Sequence, residues 1–222
     1  MARGRAANYD DQRAAILAQA ARLFARQGYA ATSMNQVADA CALSKAALYH
    51  YFRDKYALLT HIAEAHVRLL LAVTQDVETQ YPDAQRRLPA LIERFVREYA
   101  GAQDAHRVLT EDVRFLDPAD RDRILGIERE VVAHFARAIA ATRPGLESAA
   151  LDKPLAMLLF GMINWLFTWF KPRQGLDYEQ LAPMVADLFL HGMLDMGLPA
   201  PAAGAAAPRR DSRSTEPTRT PT

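Results

Sequence analysis

Cysteine is nearly absent: Cys41 is the single one among 222 residues. An internal disulfide framework and a multi-cysteine zinc cluster are therefore excluded. An unpaired thiol fits a reducing compartment. Met1 to Asp10 hold no apolar segment of the kind a secretory leader needs, so a cytoplasmic location is expected. Long hydrophobic runs are missing too. The longest, Leu155–Phe170, is interrupted by Gly161, Asn164 and Thr168. A membrane span takes about 20 mainly apolar residues. A buried helix of a soluble bundle is the better reading, and no membrane partner is expected.

Catalytic and metal signatures are also lacking. There is no Gly-rich phosphate loop and no dinucleotide fingerprint. His61 and His66 are five apart and do not share a helix face, as a zinc pair at i, i+4 would. Neighbouring acids such as Glu111 and Asp112 diverge on a helix. No nucleophile–base set stands out. An enzyme is not expected, nor a bound metal or cofactor.

What is present is a chain half hydrophobic by composition, with 24% charged residues and a net charge of +1. That argues against disorder for most of it. The near-neutral total hides an asymmetry. Residues 1–56 carry a net charge of +4, residues 57–199 a net −5, and residues 200–222 a net +2. A basic head on an acidic body suggests that the head meets a polyanion.

Apolar residues recur at helical spacing throughout, and no convincing strand is found. Ile16, Leu17, Ala20, Leu23 and Phe24 form one stripe. Leu58 to Val77 form a long second one. Further stripes run from Leu88 to Tyr99, Ile124 to Ile139 and Leu181 to Met193. Gly28 suits the end of the first helix, because glycine enters the left-handed conformation without steric cost. Ser33 with Gln36, and Asp177 with Gln180, read as capping boxes. Asp117-Pro118 reads as a cap followed by proline at the first helical position. After Leu198 the sequence holds Ala, Pro, Arg, Ser and Thr with no large apolar residue, so residues 199–222 are expected to be a disordered tail.

Residues 34–52 carry the chemistry. A short helix from Met34 to Ala40, a turn, and a second short helix from Lys45 capped by Ser44 make a helix-turn-helix. The second helix of such a pair enters the DNA major groove. Lys45 supplies a cation, while Ala46 and Ala47 allow close approach to base edges. Tyr49 and His50 offer polar tips for phosphate. Lys55 is placed for a further phosphate contact. Ser33 and Ser44 sit at helix N-termini, which attract phosphate. Arg3 and Arg5 are expected in a loose arm that can enter the minor groove.

The string from Gly28 to Leu59 resembles the DNA-binding domain of the TetR family of transcriptional regulators. The matching positions are Gly28, Thr32-Ser33, Val37-Ala38, Leu43-Ser44, Leu48-Tyr49, Phe52, Lys55 and Leu58. Two positions depart. The family's turn glycine is Ala42 here, so the turn either avoids positive φ or carries strain. The frequent Gly-Thr of the recognition helix is Ala46-Ala47, which should alter base preference.

The resemblance implies an all-α fold, with a helix-turn-helix head at 1–56 and a helical ligand-binding and dimerisation body at 57–198. It implies six further helices, the last two pairing with their twins in a homodimer. A dimer would present two recognition helices about 34–36 Å apart to a palindromic double-stranded DNA operator. A second, narrower resemblance covers Gly161-Met-Ile-Asn164-Trp165 and Trp169-Phe170-Lys171-Pro172. It is similar to a pattern in TetR regulators that sense acyl-CoA thioesters. It implies an apolar tunnel for the acyl group, with Phe95, Tyr99, Phe115, Asn164, Trp165 and Trp169 as candidate tunnel or interface residues. Lys171 and Arg173 would meet the CoA phosphates. The expected function is a ligand-responsive repressor released from its operator by such a small-molecule effector. Two alternatives stay open: a sensor of an apolar or cationic drug-like compound, and an interaction protein that uses DNA only as a localiser.

Overall fold

The computed structural model describes residues 2–172 and 176–198; of residues 2–8 and Phe167 it describes the backbone only. Among these the chain is all-helical. In order come α1 (Ala2–Gln27), α2 (Met34–Ala40), α3 (Lys45–Tyr51), α4 (Lys55–Gln80), α5 (Ala84–Gly101) and α6 (Gln103–Glu111). A 3-10 turn, Val113–Phe115, leads to α7 (Pro118–Thr142), α8 (Asp152–Asn164), the single-turn α9 (Leu166–Trp169) and α10 (Tyr178–Asp195). The expected tail and Arg173 lie outside the described residues.

Local chemistry sets the boundaries. Gly28 sits at φ +87° and its N–H closes on the Phe24 carbonyl at 2.8 Å, ending α1. Ser33 and Gln36 form the expected capping box of α2, and Asp177 and Gln180 that of α10. Asp54 accepts from the Ala57 N–H at 2.7 Å and starts α4. At α7 proline holds the first position as expected, but Asp117 makes no side-chain cap. Its backbone N–H instead donates to the Tyr56 hydroxyl, which itself donates to Asp120.

The turn between α2 and α3 resolves the question about Ala42. The Leu43 N–H reaches the Ala38 carbonyl at 2.9 Å, and the Ala42 N–H reaches Asp39 at 3.1 Å. This Schellman closure needs a left-handed residue at Ala42, and its φ is 53°. A Cβ in that conformation costs about 1–2 kcal/mol. Ala42→Gly is therefore expected to stabilise the head by about 1 kcal/mol, after allowing for the freer unfolded glycine. A thermal melt that shows no rise, or a fall, would remove the strain argument.

Two apolar cores stack along α4. The first holds Ile16, Phe24, Val37, Leu48 and Phe52 from the head, and Leu59, Ile62, Val108, Leu109 and Ile124 from beyond residue 56. The second holds Val73, Leu91, Phe95, Phe135, Phe160 and Phe189 of the body. The head therefore shares its core with the first half of α4, with α6 and with the start of α7. By length and hydropathy α4 could cross a membrane. Here its apolar face fills both cores.

The run Leu155–Phe170 departs from the expectation of burial all round. It breaks at Trp165 into α8 and α9, and only one side of α8 faces the core. Met157, Leu158, Met162, Trp165 and Trp169 face outward, as do Met184 and Leu188 of α10.

Candidate nucleic-acid interface and effector chamber

The head presents one exposed face. Ser33, Ser44, Lys45, Ala46, Tyr49 and His50 are all exposed, with Ala47 half-buried between them. They line up because Leu48 and Phe52 turn inward and are fully buried, fixing which side of α3 faces out. The Lys45 ammonium lies 5.9 Å from the centre of the Tyr49 ring. The Ser44 hydroxyl accepts from the Ala47 N–H at 3.1 Å, so it caps α3 while its own O–H remains a donor. The Ser33 hydroxyl is engaged on Gln36 in both directions.

Two placements correct the sequence reading. Lys55 does not reach outward. Its ammonium donates to the carbonyls of Tyr29 at 2.7 Å and Ala30 at 3.2 Å, and sits 4.4 Å over the Tyr29 ring. It fastens the α1–α2 loop to α4, and burial lowers its pKa. A phosphate contact would have to break those bonds. Arg3 and Arg5 are not in a loose arm but on helical backbone, since α1 begins at Ala2. Tyr9 adds an element the sequence reading missed: it stacks on Tyr51 at 4.8 Å and meets His50 edge-on at 6.3 Å. It braces the first turns of α1 against α3.

The body holds a small, partly open chamber of about 50 Å³. Val67 and Leu70 of α4, Tyr99 of α5, His106 and Leu109 of α6, Glu128, Val131 and Val132 of α7, and Met157, Phe160 and Asn164 of α8 line it. His106 stacks on Tyr99 at 3.9 Å and shares a 3.2 Å hydrogen bond with His66. Both histidines are buried, which pushes His66 down to about 4 and His106 down to about 3; the neighbouring His66 adds to the second shift. Burial raises the Glu128 carboxyl above its ordinary value, against a smaller pull from Arg129. Among the described residues no cluster of His, Cys, Asp and Glu could hold a metal ion.

Of the eight candidate ligand residues, two line this chamber: Tyr99 and Asn164. Phe95 lies beneath it, fully buried and packed edge-on to Phe135. Phe115 is corrected: it is 39% exposed beside Tyr29 at the junction of head and body. Of the two alternatives for Trp165 and Trp169, tunnel or interface, the first is corrected: they are 65% and 59% exposed on the outer side of α8 and α9 and do not line the chamber. Lys171 is exposed and lines no part of the chamber. His66, His106 and Glu128 were missed, because the sequence separates them widely and only tertiary packing joins them.

An exposed helix-turn-helix on a helical body with a small chamber is the architecture of a DNA-binding regulator. Residues 16–62 match "Bacterial regulatory proteins, tetR family", and residues 81–193 match "Tetracyclin repressor-like, C-terminal domain". The chain belongs to the TetR family of transcriptional regulators. It is 28% identical over 116 residues to the transcriptional activator FasR of Mycolicibacterium smegmatis, covering 52% of this chain and about half, 53%, of FasR. It is 22% identical over 185 residues to the repressor KstR2 of Rhodococcus jostii, covering 82% and 91% of the two chains. A TetR-family regulator from Bordetella parapertussis superposes with a TM-score of 0.77 at 34% identity, over 83% of this chain and 96% of that one. AibR in complex with isovaleryl coenzyme A and operator DNA superposes with a TM-score of 0.70 at 27% identity, over 80% and 97%.

Proposed function

We propose that this chain is a homodimeric repressor, released from a palindromic operator when an acyl-CoA thioester enters the body. The observation that carries the reading is the position of the chamber. Its α6 wall packs against α1 of the head. Its α8 wall also carries the outward apolar face, and Met157 belongs to both. A molecule that fills the chamber therefore pushes on both the head and the dimer contact. Such a ligand shifts a population between head spacings, and a 100-fold loss of operator affinity needs about 2.7 kcal/mol of discrimination between them. The acyl-CoA assignment rests on the likeness to AibR with its isovaleryl coenzyme A and on the Asn164-Trp165 pattern. The repressor sign rests on the likeness to KstR2. The exposed faces of Ser44, Lys45, Tyr49 and His50 are the proposed DNA contacts.

The cationic-effector reading keeps one observation in its favour, the Glu128 carboxylate in the chamber wall. A gel-shift titration of operator DNA decides between them. The wild-type dimer should bind, Tyr49→Ala should bind more weakly, and a short-chain acyl-CoA should release the wild type. Release by a cationic dye and by no thioester would transfer the assignment to the second reading.

A further inference from the structure

Resting on the reading of the chamber as an effector site, we infer that the effector's buried end is a short acyl chain carrying a hydrogen-bond donor, a hydroxyl or an amine, received by Asn164 and Glu128. Size sets the first limit on the occupant. The chamber is about 50 Å³. An apolar void of about 150 Å³ takes up benzene, so this one admits an end of only about two to four heavy atoms. The second element is chemistry. Most of the wall is apolar: Val67, Leu70, Val131, Val132 and Phe160. Into this wall Asn164 brings a side-chain oxygen that is buried and accepts no hydrogen bond among the described residues. A buried acceptor without a donor is costly, and native proteins keep such groups for a reason.

The third element is Glu128, half-buried on the facing helix α7 and engaged in no ion pair among the described residues. Its burial disfavours the charged form. Asn164 and Glu128 line one small chamber: the Asn164 oxygen has no donor, and the Glu128 carboxyl makes no ion pair among the described residues. A plain alkyl end leaves both as they are. A hydroxyl serves Asn164 or Glu128; an ammonium serves both and also neutralises the carboxylate. The stacked Tyr99 and His106 rings form a flat side against which a short chain can lie. A site built to meet a donor rejects the analogue lacking it far more strongly than an apolar pocket rejects a missing methylene.

The test is calorimetric titration of the full-length protein with butyryl-CoA, 3-hydroxybutyryl-CoA and 3-aminobutyryl-CoA. The donor-bearing thioesters should bind at least about tenfold more tightly than butyryl-CoA. Asn164→Leu should narrow the hydroxyl preference to less than twofold, and Glu128→Gln should do the same for the amine. Equal binding of all three thioesters, or preferences untouched by both variants, overturns the inference and leaves the acyl-CoA reading in place. Should no thioester bind, the acyl-CoA reading falls and this inference falls with it.

Discussion

Acidification from about pH 7.5 to about pH 5 is expected to lower the unfolding midpoint of this protein by roughly 10 °C. The cause is the buried His66–His106 pair. In the unfolded chain each imidazole takes up a proton near 6.5, whereas in the folded protein burial delays uptake to about 4 for His66 and about 3 for His106. The unfolded state therefore binds more protons throughout the interval between those values. The pair's stabilising contribution is complete above 6.5 and is lost as the pH falls towards 4 and 3. At about pH 5 the loss is on the order of 4 kcal/mol, at 1.36 kcal/mol for each pH unit and each histidine.

Glu128 and Asp112 work in the other direction, because burial raises their pKa and protonation in the folded state then helps. They offset part of the loss at the acid end. Glu64 and Asp120, held down by Arg123, lose their contribution only below the ordinary carboxylate range. Between pH 6.5 and 5 the histidines dominate. Circular-dichroism melts of the wild type and of a His66→Gln/His106→Gln variant at the two pH values check this. The variant should move by no more than a few degrees. A variant that falls as far as the wild type would place the acid sensitivity elsewhere.

Leu188→Asp is expected to split the proposed dimer and abolish tight operator binding. Leu188 is 68% exposed on α10, and Leu158 is 65% exposed on α8. With Met157, Met184, Trp165 and Trp169 they form one outward apolar face of the kind that marks an interface. A carboxylate in such a face would have to be desolvated on association, which costs several kcal/mol. The folded chain itself should tolerate the change, since the side chain already faces solvent. Light scattering should report half the wild-type mass, with an unchanged far-ultraviolet spectrum. Operator affinity should drop by at least about 100-fold, because a single head loses the second half-site. A variant that remains a dimer would remove this face from the proposed interface.

Much of the fold was legible because helical signals are local. The capping boxes Ser33/Gln36 and Asp177/Gln180 involve residues three apart, and the apolar stripes repeat within single helices. Which side of α3 is exposed was legible for the same reason: Leu48 and Phe52 point inward, so Lys45, Ala46, Tyr49 and His50 must point out. Lys55 misled because its charge suggests phosphate, while its partners, the carbonyls of Tyr29 and Ala30, are about 25 residues away and carry no sequence signal. Trp165 and Trp169 stayed open between tunnel and interface because an apolar aromatic fits both equally well by composition.

By itself the sequence determined the helices, the helix-turn-helix and its outward residues, because those depend on interactions within a few positions of one another. Only the tertiary structure decided that the head shares its core with α4, α6 and α7. It alone brought Tyr99, His106, Glu128 and Asn164, from four different helices, around one small chamber. It also turned Trp165 and Trp169 away from that chamber. These outcomes depend on which faces of distant helices meet, and burial and desolvation are set by that meeting rather than by any residue's neighbours in the chain.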